Sequence, residues 1–360
     1  MVPDDPATFP PVNPAEHPPA AHDRFSPRAL LAALAVLVSM TLVGLLIGPV
    51  GLPTAGVLRA LAGALPFLDV TSGLSARDGA ILWELRAPRV ALGALVGAAL
   101  AVAGGTYQGV FANPLADPYL LGVASGAGLG VTVVIVAVPG GALELLPPAA
   151  FLGAVAAVTL TLVLGRPRGG DRSVTALVLA GVTVGAFLTA AQTLLQQWLL
   201  EELQQIYSFI LGGLGGADWG RVRAVLPYVL GGGLVLGGCG RRLDVLAVGD
   251  EEARALGVRA GVLRVVVVAA ATVLTAAAVA AGGLIGFVGI LVPHAVRLLT
   301  GIASTRVLLP LCALGGGGFM IFCDLLARTA LSPAELPIGV VTALFGAPFF
   351  LLVLRSRRVL

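Results

Sequence analysis

The sequence predicts an all-α, polytopic membrane protein with about ten transmembrane helices. Hydrophobic residues make up 58% of the 360 residues, charged residues make up 11%, and the mean hydropathy is +0.99, far from the values of soluble domains. Runs of roughly 20 apolar residues, the length that crosses a hydrocarbon core of about 30 Å, recur along the chain. Because these runs do not alternate polar and apolar residues, they favour helices over a β-barrel.

The first 27 residues are rich in proline and polar side chains, and we predict a disordered tail at 1–27. This segment lacks the basic start, the short apolar core and the small-residue cleavage site of a secretory signal. The next apolar run, of about 22 residues, is long enough to remain in a membrane as a span. Residues 28–358 are therefore expected to form one transmembrane domain.

The apolar segments after the tail predict ten spans. In order they are 29–50, 90–110, 121–138, 146–165, 173–199, 223–239, 262–284, 287–300, 306–326 and 338–355. An even number of spans places both termini on the same side of the membrane. With both termini in the cytoplasm, 15 of the 22 arginines lie inside and 7 outside, as the positive-inside rule requires.

All 22 basic residues are arginine, and the absence of lysine excludes two kinds of chemistry. A Walker A loop needs a lysine to reach the phosphates, and a Schiff-base enzyme needs a lysine nucleophile. The three cysteines, Cys239, Cys312 and Cys323, lack metal-site spacing, and outside the tail His294 is the only histidine. We therefore expect no cofactor, no metal site and no catalytic site, and we find no basic tract suited to nucleic acid.

Two arginines interrupt the apolar pattern just before the second span, in LWELRAPRV at 82–90. Arg86 and Arg89 are three residues apart, so a helix would place them on one face. Two interpretations stay open, namely a snorkelling pair at the membrane interface and a docking site for an acidic partner.

Prolines interrupt the chain just after the second span, in QGVFANPLADP at 108–118. Pro114 and Pro118 stop helix propagation, while Asn113 and Asp117 can bond the freed backbone groups. The segment is either a plain turn or irregular backbone that lines a cavity at membrane depth.

A weak internal sequence repeat favours the interpretation that this segment lines a cavity. The chain runs from a Gly-Gly pair to a proline at Gly105–Pro114 and again at Gly283–Pro293. Interrupted apolar segments in matching positions of two halves are typical of a transport path.

A charged stretch, LDVLAVGDEEARALGVRAG at 243–261, lies between two predicted spans. Asp250 is suited to cap a helix, Glu251 and Glu252 suit its positive end, and Gly257 suits its stop. The resulting helix of about two turns is too short and too charged to cross a membrane. It is either a connector or a lever that extends toward a soluble partner.

The ordered motifs resemble those of the FecCD family, the permeases of ABC importers for iron-siderophores, haem and cobalamin, and the cobalamin-transporting members are an especially close likeness. The resemblance runs from about residue 28 to 358. Its motifs are LRAPR at 85–89, NPLADPYLLGVASGAG at 113–128, LAGVTVGAF at 179–187, GGLGGADW at 212–219, VGDEEARALGV at 248–258, GLIGFVGILVPHAVRLLTG at 283–301, CDLLAR at 323–328 and ELPIGVVTALFGAPFFLLVLR at 335–355.

The resemblance implies a type II importer permease with ten spans in a bacterial inner membrane. It also implies a second permease subunit, which we expect to be an identical copy, two cytoplasmic ATPase subunits, and a periplasmic or lipid-anchored binding protein. The chain itself would be a non-catalytic subunit, which agrees with its lack of a P-loop.

The resemblance further implies three groups of functional residues. The helix that couples to the ATPase corresponds to Gly249, Asp250, Glu251, Glu252, Ala253, Arg254, Ala255, Leu256 and Gly257. The cytoplasmic gate corresponds to Asn113, Pro114 and Leu115, with a second constriction at Ser173 and Thr175. The arginines that receive acidic residues of the binding protein correspond to Arg86, Arg89 and Arg328. Because Arg328 follows Asp324 by four residues, an intrahelical ion pair is the alternative for it.

Two other function classes are weighed against the importer permease. An ion-coupled secondary carrier would usually bury a carboxylate near the membrane midplane, whereas the acidic residues lie mainly near span ends. A membrane-embedded enzyme would need a converging catalytic pair. Within the importer class the substrate stays open among cobalamin, ferric siderophore and haem.

Overall fold

The computed structural model describes residues 26–65, 67–68, 70–138, 143–165, 174–197 and 203–355, and regular structure in these ranges is entirely helical. Residues 1–25 of the predicted tail lie outside them. The helices are α1 (Pro27–Leu46), α2 (Thr54–Gly63), α3 (Ala76–Val110), α4 (Val123–Ala137), α5 (Leu146–Leu164), α6 (Val174–Gln196), α7 (Leu203–Leu211), α8 (Trp219–Leu246), α9 (Asp250–Ala255), α10 (Ala260–Gly282), α11 (Val288–Thr300), α12 (Thr305–Thr329) and α13 (Ile338–Arg355).

Seven helices in the described part of the chain are long and apolar enough to cross a membrane, namely α1, α3, α5, α6, α8, α10 and α12. The apolar helices α4, α11 and α13 overlap the remaining predicted spans but are shorter by this measure. The all-helical membrane architecture is thus confirmed, whereas the count of about ten spans is not.

The start of the second span is wrong in the sequence prediction. Helix α3 begins at Ala76, where the Ser75 hydroxyl accepts a hydrogen bond of 3.1 Å from the Asp78 N–H, and it includes a π-helical turn at Ile81–Arg86. Arg86 and Arg89 therefore lie within the helix and not just outside it. The two short helices α2 and α7 have no counterpart in the prediction.

Helix α3 lies at the centre of the bundle and packs against α8, α10, α11 and α12. Small residues allow this packing. A Cβ atom at Gly97 would overlap the backbone of Gly316 on α12, and one at Gly104 would overlap the backbone of Gly289 on α11. Such close approach supplies the contacts that hold helices together in lipid, where no hydrophobic drive assists them.

The bundle has two ends, which we name by the short helices they carry. The α2 face is the end where α1 stops and α3 starts, residues 46–76, and the α9 face is the end where α8 stops and α10 starts, residues 246–260. At the α2 face, Trp219 Nε1 at the start of α8 donates to the Trp83 carbonyl at 2.8 Å. At the α9 face, Asp244 of α8 accepts bonds from Ser304 Oγ at 2.7 Å and Thr305 N at 2.5 Å, at the start of α12.

Candidate functional site

The predicted gate residues Asn113, Pro114 and Leu115 form an exposed turn at the α9 face. The backbone leaves the helical conformation at Ala112, which has a φ of 46°. Asn113 then closes the turn, because its Oδ1 accepts from the Leu115 N–H at 2.9 Å and its own N–H bonds the Gln108 carbonyl at 3.1 Å. The proline-rich segment is thus a tight turn with exposed side chains on the bundle's end.

The chain beyond this turn is tied to a non-helical stretch at 283–287, between α10 and α11. Asp117 Oδ1 accepts from the Tyr119 N–H at 2.7 Å, and the Tyr119 hydroxyl both donates to the Ile285 carbonyl at 3.0 Å and accepts from its N–H at 3.1 Å. Left-handed φ values at Gly283 and Phe287 bound the stretch. Burial raises the pKa of the Asp117 carboxyl to about 6. The chain just beyond the Gly105–Pro114 segment is therefore joined to the Gly283–Pro293 segment, a contact that sequence reasoning did not identify.

Two cavities flank these segments. One, of about 520 Å³, is lined mainly by small side chains of α6 and of the two irregular stretches, including Asp117, Gly122, Ser125, Gly181, Gly185, Thr189 and Gly286. The other, of about 480 Å³, opens at the α9 face and is lined by residues that include Gln108, Asn113, Pro114, Asp244, Arg297 and Thr305. The second cavity thus separates the gate turn from the end of α8.

Of the two residues of the predicted second constriction, the structure describes one. Thr175 lies in the first turn of α6 with its side chain exposed, and Ser173 lies outside the described residues.

His294 and Arg297 belong to α11. Arg297 donates to Gln108 Oε1, and the ring of His294 packs edge-on against Phe349 with centroids 5.8 Å apart. Both groups help to join α11 to its neighbours, α3 and α13.

The predicted coupling segment forms the short helix α9. The prediction that Asp250 caps this helix is wrong, because Gly249, with a φ of 143°, holds the cap position and Asp250 is the first helical residue. The helix therefore starts one residue earlier than an Asp250 cap implies. Gly257 has a φ of 78° and ends the helix, as predicted. Ala253 is fully buried, whereas Glu251, Glu252 and Leu256 are exposed, Leu256 by 69%. The helix thus rests on α8 and α10 and presents an acidic and apolar outer surface.

The three predicted docking arginines cluster at the α2 face, where two of them are deeply buried. Arg86 is only 4% exposed and donates to the carbonyls of Leu45, Leu46 and Val50, at the end of α1. Arg328 is 2% exposed and donates to the Gly44 carbonyl at 2.6 Å. These two guanidinium groups satisfy backbone oxygens that the end of α1 would otherwise leave without partners.

The third arginine, Arg89, joins two carboxylates. Its Nε lies 2.9 Å from Asp324 Oδ1, and its two terminal nitrogens lie 2.8 and 2.9 Å from the oxygens of Glu335. Asp324 Oδ2 also lies 3.5 Å from Arg328 Nε, so the intrahelical alternative for Arg328 is present. Arg89 lowers the pKa of the Glu335 carboxyl, which lies in the connector between α12 and α13.

This arginine cluster, which comprises Arg86, Arg89, Asp324, Arg328 and Glu335, carries a formal charge of +1 when all five groups are ionised. Sequence reasoning missed the role of Glu335, because Arg89 and Glu335 are 246 residues apart and no local pattern links them. The described residues contain no group of three or more His, Cys, Asp or Glu side chains that could hold a metal ion.

Comparison with known proteins gives consistent likenesses. The model of the FecCD transport family matches residues 34–356. An uncharacterized ABC transporter permease protein of Bacillus subtilis, YvrB, is 43% identical over 76% of this chain and 78% of its own. The cobalamin import system permease protein BtuC of Halobacterium salinarum is 42% identical over 86% of this chain and 81% of its own. A solved metal-chelate type ABC transporter in an inward-facing conformation superposes with a TM-score of 0.80 at 31% identity, over 92% of this chain and all of its own.

Proposed function

The chain belongs to the FecCD transport family, and from this premise we propose that it is the permease subunit of an ABC importer that carries cobalamin into the cell. The likeness to the cobalamin import permease, at 42% identity over 86% of this chain, carries the choice of substrate. Ferric siderophores and haem are the alternative substrates against which the experiment below compares cobalamin.

The proposal places the α9 face in the cytoplasm and the α2 face outside. The distribution of arginines supports this orientation through the positive-inside rule. The exposed surface of α9 then faces the compartment that contains ATP, and the arginine cluster faces the compartment from which substrate arrives. Both termini lie in the cytoplasm, and a second copy of the chain completes the transport path.

In the proposed cycle, each ATPase subunit binds the α9 helix of one permease copy and moves the end of α8. Helix α9 packs on α8 and α10, so a push on its exposed surface reaches both. Asp244 of α8 holds the start of α12 through Ser304 and Thr305, and it also lines the cavity that borders Asn113. A shift of α8 therefore changes the space beside the gate turn, and ATP hydrolysis by the separate subunit opens or closes the path.

At the α2 face we assign to Arg89 the contact with an acidic residue of the binding protein. Arg86 and Arg328 are buried and already hold α1, whereas Arg89 is covered by the half-exposed Glu335. An incoming carboxylate would replace Glu335 on Arg89 and preserve the paired charge. Displacement of Glu335 would move the connector that leads directly into α13.

The deciding experiment is reconstitution of this chain in liposomes with its ATPase subunit and its binding protein. The binding protein is loaded in turn with cobalamin, a ferric siderophore or haem, and ATP hydrolysis and uptake are measured together. We expect stimulation and uptake with cobalamin only, and none with an ATPase subunit that lacks its P-loop lysine. Stimulation by another chelate would correct the substrate, whereas uptake driven by an ion gradient without ATP would overturn the importer class.

A further inference from the structure

The connector between α1 and α3 exposes an unusual amount of apolar surface. No step of the proposed transport cycle involves this surface. Phe67 is 94% exposed, and Leu58, Leu65, Leu68 and Val70 are each exposed by more than a third. Monomeric soluble surfaces rarely carry large side chains of this kind in one short stretch.

The helix within this connector, α2, is apolar on two opposite sides. Gly56, Val57 and Ala60 lie on one side and are buried. Successive helical residues are rotated by about 100°, which places Leu58 and Ala62 on the opposite side. Exposed Arg59 lies on the flank between them. A helix that rests on a protein in water would carry polar residues on its outer side, and α2 does not.

The buried side of α2 fixes its position relative to the membrane. Val57 and Ala60 pack in one cluster with Leu45 of α1 and with Leu82 and Ala87 of α3. These partners belong to the last turn of one spanning helix and the first turns of the next. The chain then folds back, so that the Val70 carbonyl and the Leu74 side chain lie against Gly63 and Gly56 of α2. The connector is thus a compact unit held at the membrane boundary.

The outer side of α2 continues an apolar surface that begins on α1. Leu42, Ile47 and Val50, at and just beyond the end of α1, are also exposed by more than a third. Helix α1 itself is only 11% buried over its apolar window, so most of its surface faces lipid. Because the two surfaces adjoin at the same depth, a single lipid environment accommodates both.

We propose that α2 and residues 65, 67, 68 and 70 form an interfacial anchor that inserts into the outer-leaflet headgroup region. The outer side chains of α2, together with Phe67 and Leu68, enter the upper acyl region, and Arg59 reaches lipid phosphates. Apolar side chains on the outer side of a short helix and just beyond its end, with arginine on the flank of the helix, are typical of segments that lie in the membrane interface.

Depth-dependent fluorescence quenching tests the anchor. A bimane label is attached to single-cysteine variants Phe67→Cys and Leu58→Cys of the full chain, in which Cys239, Cys312 and Cys323 are replaced by alanine. Each variant is reconstituted in phosphatidylcholine vesicles, with brominated acyl chains as the lipid quencher and iodide as the aqueous quencher. Leu152→Cys on the exposed side of α5 is the lipid reference, and Glu251→Cys on α9 is the water reference.

The anchor predicts that labels at positions 67 and 58 are quenched by brominated lipid as the lipid reference is, and by iodide about threefold less than the water reference. Iodide quenching equal to that of the water reference would overturn the anchor. Protection from both quenchers would also overturn it, because it would indicate a covering protein surface. Elution of each variant at the wild-type volume in size-exclusion chromatography confirms that the fold is intact.

Discussion

The two faces of the bundle use their charges in opposite ways. At the α2 face, the arginine cluster consists largely of buried groups that bond one another and the end of α1, including Arg86, Asp324 and Arg328. At the α9 face, Glu251 and Glu252 are exposed on a six-residue helix, in which Ala253 is the one buried residue among those whose side chains are described. Buried pairs resist change because removing one partner leaves an uncompensated charge, whereas exposed charges are free to meet a partner. The charges of the α2 face thus stabilise the fold, whereas Glu251 and Glu252 of the α9 face remain exposed.

The largest effect is expected from Asp324→Ala at the α2 face. The substitution leaves Arg89 and Arg328 without their shared carboxylate, and the loss of one member of a buried ion pair costs about 3–5 kcal/mol. Thermal unfolding in detergent measures the change against Glu251→Ala, an exposed residue of α9 that we expect to alter stability little. Equal changes in the stability of the two variants would contradict the inference that charges at the α2 face stabilise the fold more than charges at the α9 face.

A smaller effect is expected from Tyr119→Phe, which tests how firmly the gate region is held. The change removes both hydrogen bonds between the hydroxyl and Ile285 and leaves the ring in place. We expect a loss of roughly 1–3 kcal/mol, because backbone groups of Ile285 then lack partners in a buried stretch. Unfolding midpoints report it, and Tyr228→Phe on the exposed surface of α8 is the matched control. No difference between the two would show that the contact does not hold the stretch.

The double substitution Glu251→Arg with Glu252→Arg is expected to cost less than about 1 kcal/mol, because exposed charges near a helix start contribute little. Its main effect is expected on coupling, since the reversed charges face the ATPase in the proposed cycle. We expect near-normal unfolding and loss of substrate-stimulated ATP hydrolysis in proteoliposomes. Full coupled transport by this variant would contradict the assignment of α9 as the lever.

The smallest change in stability is expected from Glu335→Gln, because a partly exposed pair contributes about 0–1 kcal/mol. Arg89 should nevertheless become reachable, so modification of Arg89 by phenylglyoxal, followed by mass spectrometry, should rise several-fold over wild type. Arg86, buried beneath the same face, is the internal control and should stay protected. Unchanged reactivity of Arg89 would show that Glu335 is not its cover.

The same pair has a defined pH dependence. Arg89 lowers the pKa of Glu335 in the folded protein, so the pair contributes stability above the ordinary glutamate pKa of about 4.3. That contribution is lost as the pH falls below this value toward the lowered folded pKa. The stability difference between wild type and Glu335→Gln should therefore be present at pH 7 and should disappear in strong acid.

Sequence reasoning succeeded where the structural signals are local. Gly257 ends α9 as predicted, and the Asn-Pro step at 113–114 makes a turn, because left-handed glycines and prolines act on their own neighbours. It failed at the start of α3, because Arg86 and Arg89 resemble the charged end of a span unless their distant partners are known. Those partners lie at Leu45, Asp324 and Glu335, up to 246 residues away.

The same distinction explains the rest of the candidate site. The contact between Tyr119 and Ile285 depends on how two irregular segments meet, which neither segment encodes alone. Helix α2 escaped prediction because its ten residues are too few for a span and too apolar for a loop. Orientation, coupling and docking stay predictions that the experiments above address.

The bond between Asp244 and the start of α12 opposes a displacement of α8. Ser304 makes no cap of its own, and α12 depends on a carboxylate of α8, at 2.5 Å from Thr305 N, to satisfy its first N–H groups. A displacement of α8 that stretches this contact removes a helix cap, which costs about 0.5–2 kcal/mol. In the proposed cycle, a pull on α9 that breaks this cap therefore raises the energy of the bundle, and re-forming the cap returns α8 to its original position.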